Sequence, residues 1–275
     1  MPVINTNVSA QLAQDALKVN SKTMTTAMQQ LATGNRINQA KDDAAGLSIG
    51  QNMTSQVRGL NMAVRNVNDG INLLQTADGA LVETSNMLQR MRELAVQASN
   101  ATNSPSQRVY LNNEFSSLQV EISRIGDNTS WNNANVFGTN TDVNSLTFQA
   151  GMNSGQTIAV SLAAMNATGL AVASNQAEIL SFGSAQSAIS TVDIAIETVN
   201  SARSRMGATM NQLSYSADNM VNISTNIAAS RSTIMDTDYA TASATLSKSQ
   251  IIQQAATAML AQANQQPQSV LSLIK

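Results

Sequence analysis

The side chains that ordinarily carry enzymatic chemistry are sparse in this chain. Its 275 residues contain no histidine and no cysteine, which removes imidazole bases, thiolate nucleophiles, Cys/His zinc sites and disulfides together. Three arrangements remain. The paired carboxylates Asp42 and Asp43 could serve acid/base or metal chemistry, but adjacent Asp residues at the start of a helical pattern read better as a cap on free backbone N–H groups. Met206, Met210 and Met220 lie at helical spacing and read as adaptable core rather than metal ligands. Asn100-Ala101-Thr102 and Asn128-Thr129-Ser130 fit the acceptor triplet for N-linked sugar, a pattern that arises by chance in so Asn-rich a chain. No catalytic residue, cofactor or metal is expected, and a zinc protease of the H-E-x-x-H type is impossible without histidine.

The rest of the composition describes a packing protein. Only 3% of residues are aromatic and 12% charged, with three prolines and thirteen glycines; Ala, Ser, Thr, Asn and Gln fill the space, as suits long helices with small faces. A net charge of −2 leaves no basic stripe for nucleic acid, which is set aside as a partner. No stretch approaches the roughly 18 apolar residues of a membrane span, and the first thirty residues lack a secretory signal pattern. A membrane partner is therefore not expected, and the chain reads as cytosolic or as exported without a cleaved signal.

The elements that position these residues follow from periodicity. Met53, Val57, Leu60, Val64, Val67, Ile71, Leu74, Leu81 and Leu88 alternate steps of four and three, predicting one long helix of about 70 Å if it reaches Ala98. Asp78, Ser85 and Arg92 interrupt this seam, while Gly59, Gly70, Gly79 and Gly207 are expected off the seams. A second seam runs through Ile189, Val192, Ile196, Val199, Met206, Met210, Leu213, Ala217, Met220, Ile227 and Ile234. A shorter amphipathic segment lies near Tyr110 to Ile125. Between about Asp127 and Ser184, alternation of Leu146 and Phe148 with Ile158, Val160 and Leu162 predicts loops and a small β-hairpin. The expected fold is mainly α, a long antiparallel helical bundle or coiled coil with a small β-hairpin region.

Both ends are amphipathic and sticky. Ile4, Val8, Leu12, Ala16, Val19, Met24, Met28 and Leu31 give the first segment an apolar face. Ile251, Ile252, Met259, Leu260, Val270, Leu271, Leu273 and Ile274 do the same at the other end. Soluble monomers rarely leave such faces free, so partners are expected there.

Several long motifs are specific enough to carry a resemblance. Ile4-Asn5-Thr6-Asn7, the run from Leu31 through Gly34, Arg36, Lys41-Asp42-Asp43 and Gly46 to Ile49, and Asn68-Asp69-Gly70-Ile71 through Asp78-Gly79-Ala80-Leu81 stand in the first half. Asp238-Tyr239-Ala240-Thr241, Gln250 to Gln254, and Leu260 through Pro267 to Leu273 stand near the end. In these segments, roughly the first 130 and last 90 residues, the chain resembles bacterial flagellin, in a short form lacking large surface domains. The resemblance implies a filament subunit with terminal helices (1–33 and 242–275) that pair as an inner-tube coiled coil in the assembled filament. Linkers would occupy 34–46 and 235–241, an outer-tube helical domain 47–126 and 184–234, and its hairpin and loops 127–183.

That resemblance also implies partners and sites. The first partner is the chain itself, in a helical homopolymer whose contacts would include Val8, Leu12, Leu31, Ile252, Met259, Leu260, Val270, Leu271 and Leu273. An export chaperone, a cap and hook-junction proteins follow by the same resemblance, with an extracellular location reached without a cleaved signal peptide. Gln89, Arg90, Arg92, Glu93, Leu94 and Gln97, with Glu114, match a surface read by a vertebrate Toll-like receptor; Arg92 and Glu93 read equally as ordinary surface or subunit-contact charges. Two departures stand out: Thr233 and Met235 replace the Arg and Glu of many relatives, leaving the linker's charge contacts open, and Trp131-Asn132-Asn133 replaces an aromatic-Asn-Gly turn. A hook-filament junction protein and a cytoplasmic coiled-coil signalling rod are the competing readings, the first separated by copy number and the second by its charged flanks and polar ends.

Overall fold

A computed structural model of the chain describes residues 6–137 and 146–274, with side chains up to residue 265. In chain order the described elements are α1 (Val8–Thr33), α2 (Ala44–Ala98), α3 (Pro105–Asn128), β1 (Ser130–Trp131), β2 (Ala134–Asn135), β3 (Leu146–Gln149), β4 (Thr157–Val160), α4 (Phe182–Met235) and α5 (Tyr239–Ile274). The expected mainly α architecture with a small β region is what forms.

Local chemistry explains where the helices begin and end. Asn7 Oδ1 accepts from the Ala10 N–H at 3.0 Å to start α1, and Gly34, at φ +72°, closes it in the left-handed conformation that glycine adopts without strain. Asp43 Oδ1 accepts from the Gly46 N–H at 2.9 Å at the head of α2, the capping role expected of the pair. Asp42 turns back instead and accepts from the N–H groups of Asn38 and Gln39. Ser104 and Gln107 form a reciprocal capping box on α3, with Pro105 in the first turn where its missing N–H costs nothing.

The chain divides into two compact units, one of residues 1–57 and 225–275, the other of 58–224. In the first, α1 and α5 run antiparallel: Asn7 Nδ2 donates to Ala263 O at 2.8 Å, Asn20 Nδ2 to Ser249 O at 2.7 Å, and the Tyr239 hydroxyl to Leu31 O at 3.4 Å. Ala10, Asn20, Ala27, Ala242 and Ser249 are buried along this pair, and their small size lets the two backbones approach closely.

In the second unit α2 and α4 are antiparallel as well. Asn61 meets Ser224, Asp78 meets Arg203 and Arg92 meets Asp193. The buried seam of α2 is Leu60, Ala63, Val67, Gly70, Leu74, Ala77, Leu81, Thr84, Leu88, Met91, Ala95 and Ala98. Half of it departs from the expected seam. Val64 and Ile71 are only half-buried, displaced one residue by Ala63 and Gly70, because a seam of alternating large and small residues lets helices close in while branched residues wrap its flank. On α4 likewise Ala188 and Ala195 are buried where Ile189 and Ile196 were expected. Asp78 and Arg92 therefore do not interrupt the seam; they flank it and pair across it.

Gly70, expected off the seam, lies in it. A Cβ there would stand 2.9 Å from Cδ1 of Phe148, so the missing side chain is the notch that seats the ring of β3. Gly79 and Gly207 face open space.

Among the described residues the middle of the chain holds two hairpins rather than one. The pair β1–β2 turns through Asn132 and Asn133 at φ +48° and +67°. Both central residues are left-handed, the geometry of a type I′ turn. Asparagine can take that conformation, so the departure from an Asn-Gly turn leaves the hairpin intact. The pair β3–β4 aligns Leu146 with Val160 and Phe148 with Ile158, the alternation expected. Leu162, Met165, Leu170, Val172 and Ile179 of the following irregular segment are buried, and its backbone is tied down by α3: Gln119 Nε2 donates to Ala177 O at 2.8 Å, and Asn112 Oδ1 accepts from the Ile179 N–H.

Candidate functional site

The paired terminal helices present a surface with no counterpart in an ordinary monomer. Because the α1–α5 seam is taken by Ala, Asn and Ser, the larger apolar residues are left outside. Val8 and Leu12 are 62% and 72% exposed, with Val19, Ile251, Ile252 and Met259 also open to solvent. Leu12, Ala16 and Val19 of α1 and Thr245 and Ile252 of α5 line a groove of about 630 Å³, with Asp15 and Lys248 on its rim. A soluble chain gains nothing from this arrangement; the side chains are placed where another surface can bury them. Of the residues expected to mediate polymerisation, Val8, Leu12, Ile252 and Met259 lie on the open surface, whereas Leu31 and Leu260 are half-buried. The side chains of Val270, Leu271 and Leu273, and the whole of Ile4, lie outside the described residues.

Next to this pair the two connecting segments are fastened to each other by backbone. The Arg36 N–H donates to Met235 O at 2.6 Å, the Thr237 N–H to Gly34 O at 2.9 Å, and Asn35 and Asp236 form an antiparallel bridge. The Arg36 guanidinium adds a bond to Ile234 O at 2.7 Å, satisfying a carbonyl that the end of α4 leaves without a helical partner. These bonds do not use the side chains at 233 and 235, so the loss of Arg and Glu there removes nothing from them. Met235 instead lies over Gly50. Arg36 had not been singled out from the sequence, where it stands within a motif but carries no periodic signal.

The charged surface on α2 is also built from identifiable contacts. Arg90 donates to Glu93 and to Glu114 of α3, each at 2.9 Å, and both partners raise the Arg90 pKa, Glu93 through the largest effect. Arg92 reaches the other way to Asp193 of α4 at 2.6 Å, which raises its pKa in turn. Gln89 and Gln97 are exposed between and beside them. Leu94 is the correction: it is 1% exposed and belongs to the core with Leu88 and Met91. At 100° per residue, a side chain between outward-facing Glu93 and inward-facing Ala95 is carried to the buried side.

Among the described residues no group of three or more metal-binding side chains forms, and no helix is long and apolar enough to cross a membrane.

Comparison with known proteins agrees with these features. Residues 4–142 match the family model described as the bacterial flagellin N-terminal helical region, and residues 189–274 the bacterial flagellin C-terminal helical region. Flagellin of Halalkalibacterium halodurans is 43% identical over 273 residues, covering 99% of this chain and 100% of that protein. The crystal structure of Bacillus cereus flagellin superposes with a TM-score of 0.51 at 30% identity, covering 61% of this chain and 94% of that one. A putative flagellar hook-associated protein from Vibrio parahaemolyticus has a TM-score of 0.59 over 70% of this chain and 99% of its own, but at 14% identity that likeness concerns the fold alone. With both terminal models matched in order and a full-length relative at this identity, the chain belongs to the flagellin family.

Proposed function

We propose that this chain is a structural subunit that polymerises into the bacterial flagellar filament and so serves swimming motility, working through packing and not through catalysis. The observation that carries the mechanism is the outward apolar face of the α1–α5 pair. A head-to-tail contact that does not close on itself generates an open helical polymer, and burying Leu12, Val19 and Ile252 against neighbouring copies supplies its driving force. Terminal helices 1–33 and 242–275 form the inner layer, 34–46 and 235–241 the linkers, and 47–126 with 184–234 the outer layer, to which 127–183 adds hairpins and loops. The signalling-rod reading fits poorly with termini whose large side chains are apolar and exposed. The junction reading lacks the sequence support that the flagellin relatives provide.

Deleting residues 242–275 tests this directly. Electron microscopy should show no filaments while far-ultraviolet circular dichroism retains the helicity of the middle segments. Filaments formed by the truncated chain would overturn the role given to α5.

The subunit works outside the cell, and it reaches that site without a cleaved signal peptide, through an export chaperone, with a cap at the growing tip and hook-junction proteins at the base. As a monomer it engages a vertebrate Toll-like receptor through Gln89, Arg90, Arg92, Glu93, Gln97 and Glu114; Leu94 supports this surface from beneath. The Arg90–Glu93–Glu114 cluster, exposed and pre-ordered by its own ion pairs, favours that reading. A cell reporter assay should respond to wild-type monomer and weaken at least about tenfold on Arg90→Ala, a loss of roughly 1.4 kcal/mol. Silence toward the wild-type monomer removes the receptor and leaves the filament untouched.

A further inference from the structure

The chain has fourteen methionines and no cysteine, so all of its sulfur chemistry is thioether chemistry. The structure sorts these thioethers sharply. Met91, Met165, Met206 and Met220 are inside the core at 3% exposure or less, whereas Met259 is 66%, Met28 53%, Met62 47% and Met152 38% exposed. Met62 and Met152 belong to the unit formed by residues 58–224 and stand on neither terminal helix. Met259 is placed differently. It stands seven residues, about two turns, after Ile252 on α5, and so on the same side of that helix as the residue that lines the groove shared with α1. The bonds from Asn7 to Ala263 and from Asn20 to Ser249 bracket its height, which brings it level with the turn of α1 that carries Leu12.

We infer that Met259 is an oxidation site coupled to assembly: peroxide-class oxidants convert it on the free subunit, and the sulfoxide excludes that subunit from the polymer. The inference rests on the filament reading above. A sulfur lone pair attacks one peroxide oxygen, the O–O bond breaks, the sulfur is oxidised by two electrons to S=O, and the proton on the attacked oxygen passes to the departing hydroxide, which leaves as water. An unbranched apolar side chain becomes polar and chiral. In the free subunit the new S=O is satisfied by water; at a subunit contact it is buried without a donor, and the penalty falls on the polymer alone. Once assembled, the same contact shields Met259 from oxidant, so the polymer protects what the monomer exposes. The change is reversible by enzymes that reduce methionine sulfoxide, which gives the lesion the form of a switch.

Partition during polymerisation tests this with the full chain. Purified subunit is treated with hydrogen peroxide to partial oxidation, allowed to polymerise and pelleted, and the sulfoxide fraction at each methionine is mapped by mass spectrometry in pellet and supernatant. Met259 sulfoxide should be depleted from the pellet by roughly tenfold or more, while Met62 and Met152 sulfoxides distribute evenly and serve as internal controls. A Met259→Leu chain should polymerise after peroxide treatment that halts the wild type, and Met259→Gln should raise the critical concentration without oxidant. Equal Met259 sulfoxide in pellet and supernatant overturns the inference, as does Met259→Gln polymerising at the wild-type concentration. If untreated wild-type chain does not polymerise at all, the filament reading falls and this inference falls with it.

Discussion

Asp238 shows how much of the linker depends on single side chains. It heads α5, and its carboxylate accepts from the Thr241 hydroxyl at 2.7 Å and from the Ala240 N–H at 3.0 Å. The Thr241 hydroxyl does most to lower its pKa below the ordinary carboxylate value, with the Ala240 and Thr241 N–H groups adding to it. A depressed folded-state pKa means that the cap's contribution is complete above the ordinary value near 4 and fades as pH falls through the lower folded value. Thermal unfolding should therefore show wild type losing its advantage over Asp238→Ala in acid, with the two curves meeting once pH has fallen through the depressed folded-state value. A difference that persists unchanged there would mean that Asp238 acts by something other than its charge. Leu94 carries the opposite lesson at this scale: a motif placed it on a surface, and helical phase placed it in the core.

At the scale of elements, small residues decide the architecture. Ala10, Ala27 and Ala242 bring α1 and α5 together, and Ala63, Gly70, Ala77, Ala188, Ala195 and Ala202 form half of the seams in the long helices. The periods were legible from the sequence because Leu60, Val67, Leu74, Leu81 and Leu88 on α2, and Val192, Val199, Met206 and Leu213 on α4, supply one side of each heptad. The second side was read one residue off. An alanine buries little area, so a hydrophobic pattern weights it below a neighbouring isoleucine, while close packing ranks them by the space available. Gly70 makes the point measurable. Gly70→Val would drive a side chain into the Phe148 ring and should cost about 1–3 kcal/mol, with faster amide exchange in Leu146–Gln149 and Thr157–Val160 and little change in α3. Unaltered exchange in those strands would show that the ring has another seat.

For the whole molecule, stability and assembly draw on different side chains. Leu12 is 72% exposed in the subunit, so Leu12→Asp should change the melting temperature of the monomer little while raising the critical concentration for polymerisation at least about tenfold. Sedimentation of polymer across a concentration series reads the second quantity and a thermal scan the first; a destabilised monomer with unchanged assembly would reverse the assignment. Concentration dependence is itself required, since the apolar face is satisfied only by mass action.

The amino-acid sequence by itself determined the absence of histidine and cysteine chemistry, the long helices, the cap at Asp43, the alternation of β3 with β4 and the membership shared with flagellins. Each of these is written in residue type or in local spacing. Only the tertiary structure decided which face of each helix is inside. It set small residues against each other in α1 and α5, turned Leu12 and Met259 outward, drew Leu94 inward, and joined Arg36 to the carbonyl of Ile234 across nearly two hundred residues of chain. The physical reason is that inside and outside are properties of the partner surface. A helix carries its period alone, but how close its neighbour can come, and therefore which stripe is buried, is settled only when both backbones are in place.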